Sequence, residues 1–289
     1  MRIDERKVLK LENIISEILP LTADTSQFNR VFIPIEHDFS LELANENNLN
    51  IYHLRTENRR FKYEDLTNFC VGNLSQYIFN RKTVKQAKSQ ADIQILYNRG
   101  RKQLREVRNE NDSGAGGELG ELLLYLFLEN CLHAPKLLSK MEIKTTRNQY
   151  IYGADGLHLY MTKDKYGNML YQFVIGEAKI KNDILDATRV AFDSIRKSID
   201  EIDIETALVS EEILKEVCTK EDAEKLIEVI LPSEDIADKF TTSEKAIGLF
   251  IGYTGDYDED IDNASWNKKI NDKIKKDIER AVDTIKKKI

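Results

Sequence analysis

The chain is poor in the residues that staple a fold or hold soft metals. Its 289 residues include 3 cysteines, 4 histidines, 4 prolines and 1 tryptophan. Cys70, Cys131 and Cys218 lie far apart, each in an apolar segment, and an odd number of separated cysteines argues for reduced, buried thiols rather than a disulfide framework. His37, His53, His133 and His158 show no metal-ligand spacing, which sets zinc chemistry aside. No apolar run approaches a membrane span, and the opening Met1-Arg-Ile-Asp-Glu-Arg6 lacks the apolar stretch of a secretory signal. A cytoplasmic location without membrane association is the expectation.

What the chain does have is charge, laid down in blocks. Charged residues make up 32% of it and the net charge is −7, an average that hides a segregation. Residues 81–108 carry nine Lys/Arg against two acids, a local +7, while residues 201–265 carry nineteen acids against five lysines, a local −14. Residues 266–289 return to +5, nine basic against four acidic. Separate charge blocks imply separate surfaces with separate partners. In the first block Lys85, Lys88, Arg101, Lys102 and Arg105 are candidates for tracking nucleic-acid phosphates, and a merely solvated helical face is the equal alternative.

The stretch around which the rest is organised is Gly153-Ala-Asp-Gly-Leu-His158, answered by Ile175-Gly-Glu-Ala-Lys179. Leu157 to Thr162 alternates apolar and polar, Lys163-Asp-Lys-Tyr-Gly-Asn168 is a turn cluster, and Met169 to Ile175 is almost continuously apolar, which predicts a β-hairpin with a buried second arm. Folding it about Tyr166 sets opposed residues to sum to 332, so Asp155 falls opposite Glu177. Strand alternation puts Glu177 and Lys179 on one face and Ala178 on the other. Two carboxylates facing each other across a strand pair repel unless something bridges them. Two hard oxygen ligands beside an ammonium suit Mg²⁺-dependent hydrolysis of a phosphodiester: the acids hold the cation, and the lysine serves the attacking water or the charge gained at phosphorus.

The remaining chain supplies the frame. Helices are expected over residues 4–19, Tyr63 to Phe79, Glu118 to Leu128, about 183–199, 210–218 and 221–231, with a basic terminal helix from Trp266. Strands are expected at Arg30–Ile35, Ile51–Leu54, Met141–Thr146 and Ala246–Tyr253. The Glu118 helix is apolar nearly all round, so it belongs against a sheet. Glu118 and Glu121 share a face at its start, where they either complement the helix dipole or face the site. Division into an N-terminal α/β region, 1–109, carrying the basic segment and a core, 110–289, is the expected organisation.

A helix with Gly120-Glu121, then Asp155, then Glu177-Ala178-Lys179 on the next strand, then another helix, resembles the PD-(D/E)XK nuclease superfamily. Ala154 stands where that motif often has proline, a departure that leaves the aspartate in place. More narrowly, Gly-Glu-Leu-Gly-Glu-Leu-Leu-Leu-Tyr, Gly-Ala-Asp-Gly-Leu-His and Gly-Glu-Ala-Lys resemble the HamA family, the nuclease subunits of the Hachiman anti-phage system; the match is clearest over about residues 113–200. The resemblance implies an α/β (α+β) fold with a restriction-endonuclease-like mixed sheet flanked by helices. It implies a DNase using Mg²⁺, or Mn²⁺, and held in check by a helicase partner similar to HamB. Carried over by position, Asp155, Glu177 and Glu121 would bind the metal and Lys179 would act on the water. Glu118 competes with Glu121 for the helix position, and the carbonyl of residue 178 is a further ligand candidate. Against this stand a catalytically silent adaptor that only binds nucleic acid or a helicase, and a charged sheet end with no function.

Overall fold

In the computed structural model the described residues are 13, 15–41, 49–107, 116–139, 155–163, 169–198, 219–230, 241–254 and 262–288. The expected strand at 141–146, the helix at 210–218, the tip of the hairpin and most of the first helix lie outside them.

The N-terminal part is helical with small ribbons. Helix α1 (Phe28–Val31) leads into β1 (Phe32–Pro34), which pairs antiparallel with β2 (Tyr52–Leu54); β3 (Thr56–Glu57) and β4 (Arg60–Phe61) form a second ribbon. Arg30 and Val31, expected in a strand, are helical instead: the Val31 N–H donates to Gln27 O at 3.1 Å, closing one turn before the chain extends. Helix α2 (Tyr63–Ile78) buries Phe69, Cys70, Leu74, Tyr77 and Ile78. It is followed by α3 (Arg81–Gln86), whose start is capped by the Asn80 side chain accepting from the Thr83 N–H at 2.8 Å, and by α4 (Gln90–Val107). Thus the basic block is two helices rather than one run.

Helix α5 (Gly116–Cys131) and strand β5 (Lys136–Leu138) open the second part, followed by β6 (Gly156–Lys163), β7 (Met169–Lys181), α6 (Ile184–Ser198), α7 (Lys220–Ile230), β8 (Thr241–Tyr253) and α8 (Asn263–Lys288). The sheet order is β5-β6-β7-β8, antiparallel across the first three strands and parallel between β7 and β8, so this is a mixed α/β sheet with helices on it. Strand β5 has no counterpart among the expected strands. The hairpin register has Gly156 opposite Gly176 and Lys163 opposite Met169, so the opposed residues sum to 332 as expected.

Alternation along β7 sorts its neighbours. Val174, Gly176, Ala178 and Ile180 face α5: Leu124, Leu128, Val174 and Ala178 form one apolar cluster, and a Cβ on Gly120 would lie 3.4 Å from that of Ala178. A Cβ on Gly176 would come within 2.7 Å of the Leu124 side chain, so the close approach of helix and sheet requires glycine there. Gly120 meets Ala178, Leu124 meets Gly176 and Leu128 meets the Gly248 level, so α5 runs antiparallel to β7 with its first turn over the strand's far end. On the other face α6 packs on β7 and β8, with Ile184, Ala187 and Ala191 buried; Asp183 caps it, accepting from the Leu185 and Asp186 N–H groups at 2.9 and 3.0 Å.

One apolar core crosses the expected boundary near residue 110. It joins Phe28, Phe32, Phe69, Tyr77 and Leu96 to Leu122, Leu123, Tyr125 and Leu126. Trp266, Ile270 and Ile274 of α8 dock on Ile35 and Ile51, so the stripe of the terminal helix is covered by the chain's own core. Cys70 and Cys131 are free thiols, as their spacing suggests. Among the described residues no helix is long and apolar enough to cross a membrane.

Candidate active site

Asp155 sits just before β6 and is held by the end of the ladder. Its N–H donates to Gly176 O at 2.9 Å, and its Oδ2 accepts from the Ala178 N–H at 2.8 Å. These two bonds bracket Glu177, so the carboxylate is tied to the strand that carries the other acid. Glu177 is buried, 4% exposed, and its Oε1 meets the Lys179 ammonium in an ion pair. The Ser194 hydroxyl of α6 also bears on the Glu177 carboxylate. Burial, and next the Asp155 charge, push the Glu177 proton affinity up, against the opposing pull of Lys179 and Ser194.

Glu121 lies on α5, across the strand from Glu177. Its Oε2 accepts from the Tyr77 hydroxyl at 3.0 Å. Tyr77 is buried, and burial first, then the charges of Asp155 and Glu118, hold its hydroxyl well above the ordinary tyrosine value. The structure therefore brings Asp155, Glu177 and Lys179 together at one end of the hairpin, while Glu121 lies on the helix side of the sheet, bonded to Tyr77. Tyr77 is absent from the sequence-derived site because a tyrosine on the apolar stripe of an amphipathic helix reads as core; no sequence signal marks its hydroxyl.

Two neighbouring carboxylates are the donor chemistry that a hard divalent cation takes, and Asp155 with Glu177 could supply it. Among the described residues no group of three or more His, Cys, Asp or Glu side chains is gathered for a metal.

Behind this site is a set of buried polar groups that sequence reasoning also misses. Glu129 is fully buried and accepts from the Thr22 and Ala23 N–H groups at 2.6 Å each, the Thr22 hydroxyl at 3.0 Å and the Lys136 N–H at 3.0 Å. Lys136, 2% exposed, donates from Nζ to Phe79 O at 2.7 Å and to Gln76 O. His158 Nδ1–H donates to Ala134 O at 2.8 Å, and burial pulls its imidazole down to about 4, so it is neutral.

In the basic block, Arg81 departs from the expected solvated or phosphate-facing role. It is 3% exposed and donates to Pro20 O, fixing the loop before α1. Lys85, Lys88, Arg101 and Lys102 are all exposed at the surface. Arg99 lies over the Phe79 ring and Arg101 over Tyr97, at 5.4 and 5.7 Å from the centroids. Arg105 belongs to α4. On α6, Arg189 pairs with Asp186 at 2.6 Å.

Residues 28–289 match the family model described as HamA. No curated protein and no solved structure matches the chain.

Proposed function

The chain belongs to the HamA family of Hachiman defence components, and from that premise we propose that it is a metal-dependent nuclease that hydrolyses DNA phosphodiester bonds under the control of a helicase partner. The observation that supports this reading is the tethering of Asp155 to the strand of Glu177 and Lys179, two acids and an ammonium at one sheet end.

Asp155 and Glu177 would hold Mg²⁺ or Mn²⁺, with Glu121 as the helix carboxylate beside them. When bound, the cation would neutralise charge gained by the phosphoryl oxygens. The Lys179 ammonium, at 27% side-chain exposure, is open enough to reach a water or a phosphate while anchored by Glu177. In this reading Lys179 orients the attacking water, whose oxygen bonds to phosphorus in line as the bond to one sugar oxygen breaks. Ala178 N–H keeps the Asp155 carboxylate aimed while this happens.

A subunit that binds without cutting is the competing reading. It is favoured by the ion pair that already neutralises Glu177. Incubating the purified chain with supercoiled plasmid, with and without Mg²⁺, separates the two. Nicking or linearisation that needs the cation and disappears in Lys179→Ala is expected; intact plasmid throughout would leave only the binding role.

The surface lysines and arginines of α3 and α4 are the proposed phosphate-tracking face. Replacing Lys85, Lys88, Arg101 and Lys102 by glutamine should flatten the dependence of log binding constant on log salt, by about 0.9 for each DNA phosphate that is no longer neutralised. An unchanged slope would clear this surface of the role.

A further inference from the structure

Tyr77 stands outside the motif that brings the acids to notice, yet its hydroxyl is the polar atom joining the N-terminal part to the site. It is 4% exposed, its ring packs 5.7 Å from that of Tyr125, and its hydroxyl donates to Glu121 Oε2 at 3.0 Å. The backbone on either side is held as well. Lys136 Nζ donates to the carbonyls of Gln76 and Phe79, which bracket Tyr77, and the Lys136 N–H donates to Glu129, two turns along α5 from Glu121. Glu121 and Glu129 thus lie on one helix, and Tyr77 and Lys136 tie each of them to the end of α2. The ring of bonds closes on itself, so the hydroxyl cannot shift relative to Glu121 without breaking a buried bond.

We propose that Tyr77 is a positioning residue of the hydrolytic site, fixing the Glu121 carboxylate in its orientation at the start of α5. This rests on the nuclease reading above. Its action is to hold the carboxylate, through the hydroxyl that donates to it at 3.0 Å. A hydrogen-bond partner that orients a metal-facing carboxylate is worth about 10–100-fold in metal affinity. It follows that α2, in the N-terminal part, belongs to the functional unit of the site.

The test is Tyr77→Phe, which removes one oxygen and keeps the ring. Mn²⁺ binding is measured by calorimetry on the full chain, and the cation concentration for half-maximal plasmid nicking is measured in parallel. Tyr77→Phe is expected to weaken Mn²⁺ binding about 10-fold and to raise the half-maximal concentration by the same factor. In a Glu121→Ala background Tyr77→Phe should have no further effect, because the hydroxyl then has no carboxylate to orient. Should Tyr77→Phe fail to fold, Tyr77→Met removes the hydroxyl with a more adaptable apolar side chain and should give the same loss. Wild-type affinity in Tyr77→Phe, or tighter binding, overturns the proposal; tighter binding would mean that the hydroxyl restrains Glu121 from the cation. Wild-type protein that neither binds Mn²⁺ nor nicks plasmid fails the nuclease reading itself, and the positioning role with it.

Discussion

Replacing Glu177 with glutamine should abolish the proposed cation-dependent DNA cleavage, by about a thousandfold, and stabilise the metal-free protein at neutral pH. The first effect follows from removing one of the two acids at the sheet end together with the anchor of Lys179. The second follows from the environment of the side chain. Burial and the Asp155 charge raise the Glu177 proton affinity above that of the unfolded chain. The folded state therefore holds this proton more tightly, and stability falls as pH climbs from the unfolded glutamate value, about 4.3, through the higher folded one. Above both the penalty is complete; below both it vanishes. Glutamine escapes it, so in chelator the melting temperature of Glu177→Gln should exceed wild type at pH 7.5 and the gap should close near pH 4. Added Mg²⁺ should raise the wild-type melting temperature and leave the variant unmoved. A variant less stable than wild type at pH 7.5 would mean that the Lys179 and Ser194 interactions outweigh burial, and that this carboxylate is not held at a cost.

Glu129→Ala should be the most damaging single substitution on stability, costing about 3–5 kcal/mol. The carboxylate accepts from three backbone N–H groups and a hydroxyl, and alanine leaves those donors buried without a partner. Thr22 and Ala23 are held to α5 through these bonds, so the substitution should also expose the segment before α1 to proteolysis. Urea unfolding with limited proteolysis measures both. Glu129→Gln retains an acceptor oxygen and should recover part of the stability. A melting curve for Glu129→Ala that overlays wild type would show that water replaces these bonds at little cost.

How much of this the sequence carries varies by kind of signal. The hairpin is legible because alternation, a turn cluster and an apolar arm each point to the same register, and Gly156 does face Gly176. Glu177 and Lys179 come with it, since a two-residue period fixes which side chains share a face, whereas Asp155 stands just outside the paired residues and bonds Gly176 O instead of meeting Glu177 in register. The helix after Lys179 is legible from Asp183 and its apolar spacing. Tyr77, Glu129 and Lys136 are not legible, for a common reason. Each owes its role to a partner more than five residues away in sequence, and a lone polar atom on a helix or short strand has no periodicity to betray it. Arg81 is hidden within the basic block, because a run of like charges says nothing of which member turns inward to Pro20. The single turn at Phe28–Val31 resembles a strand in sequence because aromatic and β-branched residues favour strands when no hydrogen bond is in view.

The direction of α5 carries one more consequence. Its aligned peptide units leave roughly half a positive charge at the N-terminal end, and that end lies over the part of β7 that holds Glu177. The acids at that end are thereby met by a fixed positive pole that no solvent ion has to supply. Laid the opposite way, the same helix would point its electron-rich carbonyls at them.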